Sequence, residues 1–180
     1  MFQTLIKIRH NLLLTFVLAQ VGWFACVLGA AHGYGLLGIA VALLITAWHV
    51  GLNPSPLPEL KLVLWVGLVG LVGETALAET GLFIYEGTQL YPGGTTYWLL
   101  AMWLLFGSFL NSLMRFLKGH YIWAAALGLV GGPFAYIPGG NLGALSFTNT
   151  LYAGVAVGVL WAVAMPLLVK LSNIYDGSGK

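Results

Sequence analysis

Six apolar stretches alternate along the chain with short segments rich in polar residues, glycine or proline. A helix needs about 20 apolar residues to cross a hydrocarbon layer of roughly 30 Å. On that rule the pattern predicts spans over about 11–31, 36–52, 62–84, 97–117, 121–137 and 151–171. Between the second and third, Asn53-Pro54-Ser55-Pro56-Leu57-Pro58 reads as an irregular connection, because so dense a set of prolines does not sustain a helix. A polar turn over 85–96, with Pro92-Gly93-Gly94, separates the third from the fourth. A Gly/Asn/Ser/Thr-rich stretch over 138–150 leads into the sixth.

Composition turns this pattern into a class. The chain has 180 residues, 59% hydrophobic and 7% charged, whereas a soluble domain runs near 25% charged. A mean hydropathy of +0.92 agrees. A disordered chain and an ordinary soluble enzyme are thereby excluded. The net charge of +2 is too weak for a nucleic-acid surface. The expected fold class is all-α: a single polytopic membrane domain, 1–180, folded as a six-transmembrane-helix bundle.

Charge placement tests the span count. Lys and Arg collect in short cytoplasmic loops. Lys7 and Arg9 precede the first span, Lys61 follows the second, Arg115 and Lys118 follow the fourth, and Lys170 and Lys180 close the chain. The connections after spans one, three and five hold no Lys or Arg. With six spans and both termini cytoplasmic, every positive charge falls on one side; five or seven spans break that partition. Trp48, Trp65, Tyr121 and Trp123 fall near one interface, and Tyr34, Tyr85, Tyr91, Tyr97, Trp98 and Tyr152 near the other, the level amphipathic rings prefer.

The N-terminal basic residues and apolar run suggest a signal peptide, but the run is long and the later spans need a membrane regardless. Cys26 sits in a sequence unlike a lipoprotein site, since Trp23 and Phe24 precede it and Val27-Leu28 continue the helix. As the sole cysteine it forms no internal disulfide and no Cys-rich metal site. Three spans plus three would permit an inverted repeat, but the halves do not align.

Gly67, Gly70 and Gly73 recur every third residue on span three. Gly128/Gly132 and Gly154/Gly158 form G-x-x-x-G pairs on spans five and six. Small residues let helix backbones approach where lipid offers no hydrophobic driving force. Packing within the bundle is the favoured use, with a homodimer seam as the alternative.

Polar groups at membrane depth carry the candidate chemistry. Counting from Lys61, Glu74 lies about 20 Å in, near or just past the midplane. Glu79 lies about 7.5 Å further and about 140° round the helix. A central acidic residue costs about 2.5–3.5 kcal/mol to insert, so it faces the bundle interior, either paired or as the neutral acid. It is then a proton or ligand site, or a structural carboxyl bonded to a neighbouring helix. Asn111 and Arg115, four apart, share a face of span four, with Ser112 beside them. His49 lies about a turn from the inner end of span two. Pro133, in Gly131-Gly132-Pro133, frees the Leu129 carbonyl, and broken backbone at that depth lines a cavity or is buried in protein. Glu74, Asn111, Ser112, Arg115, His49 and Pro133 are therefore the candidate ligand-binding residues, in a pocket opening toward the inner leaflet or cytoplasm.

No catalytic residue is assigned. His10, His32, His49 and His120 show no paired metal-ligand spacing, and no hydrolase, phosphate-loop or dinucleotide motif occurs. No metal and no cofactor is expected. Ser108 and Ser112 have no neighbouring His and Asp, so acyl transfer lacks support.

The segments Gly22-Trp23-Phe24-Ala25-Cys26-Val27-Leu28-Gly29-Ala30, Trp98 and Trp103 through Asn111-Ser112-Leu113, and Gly132-Pro133-Phe134-Ala135-Tyr136 with Leu142-Gly143-Ala144 carry a resemblance. Together they resemble an uncharacterised family of small bacterial inner-membrane proteins. The resemblance implies a multi-pass protein of the bacterial inner (cytoplasmic) membrane, transfers no catalytic residue, and inclines the functional expectation toward lipid. It also implies Asp at the level of Glu74 and His at that of Asn111. The departure at Asn111 argues against obligatory acid–base chemistry there. The leading expectation is an accessory or lipid-handling protein, non-catalytic, holding a lipid or small amphipathic molecule. A small proton-coupled transporter is one alternative. A membrane-embedded lipid-modifying enzyme, with Glu74 or His49 as base and Arg115 on a headgroup phosphate, is another. Membrane lipids are the expected partners, with a homodimer or another membrane protein as a further option.

Overall fold

Asn11 begins the first helix by accepting the amides of Leu13 and Leu14 on its side chain, at 3.1 and 3.2 Å. The computed structural model describes residues 11–177; Lys7, Arg9, His10 and Lys180 lie outside the described residues. Helix α1 spans Leu12–Ala31, α2 Gly35–Gly51, α3 Pro56–Glu79, α4 Tyr97–Leu113, α5 Tyr121–Asn141 and α6 Thr150–Ile174. Strands β1 (Phe83–Tyr85) and β2 (Leu145–Phe147) pair antiparallel, Phe83 opposite Phe147. Helices α1, α3, α5 and α6 are long and apolar enough to cross a membrane, while α2 and α4 have 17 residues each.

Several expectations need correction. The prolines before span three start a helix instead of breaking one. Pro56 and Pro58 stand in the first turn after Ser55, where backbone N–H groups have no intrahelical partner to lose. The same helix stops at Glu79 instead of reaching residue 84, because the chain reverses at Gly81 with φ 67°. Ile84 is thus in a strand; a small two-stranded sheet accompanies a mostly helical chain, which is compatible with the expected all-α class. Span four ends at Leu113, followed by a 3₁₀ turn, Arg115–Leu117. Span five runs unbroken through Pro133 and Pro138 to Asn141.

Helix α4 packs against α1, α2 and α3, and α5 and α6 form a close antiparallel pair that meets α3 and α4 through α6. Glycine sets the approach in each seam. A Cβ at Gly70 would enter the Trp103 ring of α4, and one at Gly73 would come within 2.8 Å of Leu160 on α6. Gly128 and Gly132 both face Trp161, and Gly158 faces Leu129, whereas Gly154 meets open space. The expected use of these glycines inside the bundle holds at every one of these positions except Gly154.

Small and apolar side chains fill the interior, among them Cys26, Ala42, Leu62, Val66, Leu99 and Leu168. The outward faces are equally apolar. Ile122, Leu36, Phe134, Leu151 and Val163 are each more than two-thirds exposed, an arrangement that soluble monomers avoid. One end of the bundle carries Lys61, Arg115, Lys118 and Lys170. The opposite end carries the sheet and the loops over 80–96 and 142–149, which lack Lys and Arg. These are called the basic end and the sheet end below.

Candidate functional site

Glu74 is sealed inside the bundle, 1% exposed. Its helix starts earlier than the proline run suggested, so it lies 18 residues beyond Pro56. That is about 27 Å along a helix of about 36 Å. The carboxyl therefore sits about three-quarters of the way along α3, nearer the sheet end. Three elements bring donors to it. The Trp103 indole N–H of α4 donates to Oε1 at 2.8 Å, and the Tyr136 hydroxyl of α5 donates to the same oxygen. The Tyr85 hydroxyl of β1 reaches Oε2 at 3.5 Å. Burial foremost, then the charge of Glu74 and the bond to it, hold the Tyr85 hydroxyl above the usual tyrosine range.

The rings are fixed in turn. Trp103 stacks on Trp161 with centroids 4.5 Å apart and planes 16° from parallel. The Trp161 indole N–H, buried without a hydrogen bond of good geometry, lies by the Tyr136 hydroxyl. Phe83 of the sheet packs edge-on to Tyr136 at 6.3 Å.

The other expected site residues are not gathered round Glu74. Asn111 lies at the basic end, where its amide donates to Glu59 Oε2 at 3.0 Å and to the Tyr175 carbonyl at 2.9 Å. Glu59 also accepts the Gly177 amide at 3.2 Å and is fully buried. Fifteen residues separate Glu59 from Glu74 on α3, about 22 Å of helix. Arg115 opens the 3₁₀ turn at that same end. The Ser112 hydroxyl turns back to the Phe109 carbonyl at 2.9 Å. His49 is buried with its ring edge-on to Phe109, centroids 4.6 Å apart, and its carbonyl takes the Asn53 amide. Pro133 produces no broken backbone. The carbonyl it frees, Leu129, faces Gly158, where an added Cβ would stand 2.9 Å from the oxygen. The missing side chain leaves room for a Cα–H···O contact across the seam.

Glu59 escapes the sequence pattern because it falls between the proline run, which ends at Pro58, and the third apolar stretch, which starts at residue 62. The available signal was Pro-x-Pro-Glu: prolines tolerated in a first turn, followed by an acid that complements the helix dipole. Tyr85, Tyr136 and Trp103 had no local signal as partners of Glu74, since they come from three distant segments.

The space for a ligand lies elsewhere, in two apolar clefts. The first, about 260 Å³, opens between α1 and α4 on one side and α5 and α6 on the other. Trp23, Met102, Trp103, Gly131, Tyr136 and Trp161 are among its walls, so Trp103 and Tyr136 stand between Glu74 and the cleft. The second, about 330 Å³, lies between α1 and α4 and includes Phe16, Gln20 and Leu113. None of Glu74, Asn111, Ser112, Arg115, His49 and Pro133 lines either cleft. Among the described residues, no group of three or more His, Cys, Asp and Glu side chains could hold a metal.

No curated protein and no solved structure matches the chain. A family model, described as "Protein of unknown function (DUF2878)", matches residues 12–167. That match covers nearly the whole of the helical bundle, including both clefts and the Glu74 cluster, and the chain belongs to this family.

Proposed function

We propose that the protein is a six-span membrane protein with its basic end on the cytoplasmic side, and that it holds a lipid or small amphipathic molecule in the lateral cleft between α1/α4 and α5/α6. The topology rests on two supports. Helices of 17 residues fall inside the range of about 17–25 that spans a bilayer. Lys61, Arg115, Lys118 and Lys170 gather at one end, as short cytoplasmic loops require. The bacterial inner membrane is the setting that the sequence resemblance implies. Impermeant thiol reagents should label Glu86→Cys and His120→Cys from opposite faces; labelling from one face would overturn the topology.

The observation that carries the ligand reading is the makeup of the cleft: aromatic, Met, Leu and Gly walls, with no charged side chain among them. Such a wall suits an acyl chain. A proton-coupled transporter or a lipid-modifying enzyme would need an ionisable group in the ligand's path. Glu74 is closed off behind Trp103 and Tyr136.

A ligand that binds only the folded state stabilises it by about 2.7 kcal/mol at a hundredfold excess over Kd. For a chain of this size each kcal/mol moves Tm by about 2–4 °C. Purified protein should therefore melt higher with some lipids of a panel than with others. Gly131→Leu should flatten that dependence. Gly131 lines the cleft, and a Cβ there meets open space, so the new side chain fills the cleft without striking the backbone. Identical melting with every lipid would overturn the proposal.

A further inference from the structure

The two apolar clefts are branches of one groove. Trp23, Met102, Phe106 and Met114 line both, so these side chains form a ridge with a slot on either side. The first slot follows α4 from Trp98 to Met114, about 24 Å of helix. At 260 Å³ its volume falls below the roughly 300–1,000 Å³ of a pocket for a drug-sized ligand. A space so small over such a length is one acyl chain wide. The second slot is of similar size and meets the first again at Met114.

Charge fixes which way an occupant points. Met114 caps α4, and Arg115 is the next residue. Lys118, three further on, is held by Asp176 at 2.7 Å. At the sheet end the nearby charges are Glu79 and Glu86. An anionic headgroup is therefore favoured where the slots converge and disfavoured at their far end. A guanidinium matches a phosphate with paired donors better than an ammonium does.

We propose that the groove seats a two-chain anionic phospholipid, one acyl chain in each slot astride the Trp23–Met102–Phe106 ridge, with its phosphate at Arg115. This deepens the lipid reading of the cleft and rests on it.

The walls supply the probe. Trp23, Trp98, Trp103 and Trp161 line the groove, while Trp48, Trp65 and Trp123 lie exposed on the outer surface. Full-length protein with the outer three changed to Phe is reconstituted in phosphatidylcholine vesicles. Its fluorescence is then quenched with dibrominated phosphatidylglycerol, dibrominated phosphatidylcholine or brominated lysophosphatidylglycerol. Phosphatidylglycerol should reach half-quenching at a mole fraction roughly tenfold below phosphatidylcholine, about 1.4 kcal/mol: both present a phosphate to Arg115, but the quaternary ammonium of phosphatidylcholine cancels that charge and is repelled by the basic end. It should also outcompete its single-chain form. Arg115→Gln should abolish the headgroup preference and Arg115→Lys should keep most of it. Equal quenching by the two diacyl lipids, or by one chain as well as two, overturns the proposal while leaving a lipid-filled cleft. No quenching of the groove tryptophans by any brominated lipid overturns the cleft reading itself. Should Arg115→Gln fail to fold, the headgroup and chain-number comparisons on the otherwise intact chain still decide.

Discussion

Helix α3 buries two carboxyls about 22 Å apart, and the bundle satisfies them in opposite ways. Glu74 is closed by Trp103, Tyr136 and Tyr85, ring donors from a helix, a second helix and a strand. Each ring is held by packing of its own, Trp103 between Gly70 and Trp161. Glu59 is closed by the Asn111 amide and by the backbone of Gly177, in a segment that follows the last helix. The first acceptor is built into the core; the second fastens the segment after α6. Between them α3 reads Leu62 to Gly73 with aliphatic residues, glycine and Trp65 alone, so its middle carries no ionisable group. The molecule thus meets the cost of buried acids toward the two ends of the helix, where donors from the segments between and after the helices can reach them.

The comparison breaks most sharply at Glu74. Glu74→Ala leaves the Trp103, Tyr136 and Tyr85 donors buried without an acceptor, a loss of about 3–5 kcal/mol. Thermal unfolding should show the largest fall in Tm of any variant considered, with Glu74→Gln falling less because it keeps a carbonyl oxygen. Glu59→Ala should cost about 1–2 kcal/mol, because the donors it strands are at the bundle end, where water can replace the carboxyl as the tail lifts. A thiol placed by Asp176→Cys should then react faster in the Glu59→Ala background than alone. If the two alanine variants lose equal stability, the distinction between core acceptor and fastening is wrong.

Much of the bundle could be read directly from apolar runs, because a helix in lipid must satisfy its backbone within one continuous segment. The glycines of α3 and α5 were legible for a related reason: close approach leaves small residues at fixed spacing. What escaped the pattern was non-local. Pro56 and Pro58 carry the same sequence signal whether they end an element or open one, and only the fold shows that the first turn absorbs them. That ambiguity hides the first turns of α3, Glu59 among them. Phe83–Tyr85 and Leu145–Phe147 are too short to show a period, and they pair across 60 residues of chain. Spacing places Asn111 and Arg115 on one face of span four, but α4 ends at Leu113, before Arg115, and spacing on one helix cannot say which carboxyl comes to meet Asn111.

Lys118 and Asp176 sharpen the account of the fastening with a smaller effect. Their ion pair spans 2.7 Å with both side chains about one-fifth exposed, and Lys118 also donates to the Ser172 carbonyl at 3.0 Å. Partly exposed pairs contribute about 0.2–1 kcal/mol and weaken in salt. Lys118→Ala should lower Tm by only a few degrees, and by less at high ionic strength. A loss as large as that of Glu59→Ala would make the ion pair, not the Glu59–Gly177 contact, the main hold on the tail.

The smallest effect isolates burial from hydrogen bonding. Glu79, one and a half turns beyond Glu74 on the same helix, also accepts a tyrosine hydroxyl, that of Tyr91 at 2.9 Å, but in the open. The bond to Glu79 holds the Tyr91 hydroxyl above the usual tyrosine range of about 10. A proton held more tightly in the folded chain gives a contribution fully present below the ordinary tyrosine pKa and lost as pH rises through the folded value. Ultraviolet titration of single-tyrosine differences, with and without Tyr91→Phe, should place Tyr91 ionisation above that of free tyrosine. Glu79→Gln should bring it down and lower Tm at neutral pH only slightly: the bond contributes fully there, but it lies in water and the amide keeps an acceptor oxygen for Tyr91. A fall in Tm comparable with that of Glu74→Ala would show that the tyrosine–carboxyl bond alone, rather than its enclosure by Trp103 and Tyr136, is what makes Glu74 indispensable to the fold.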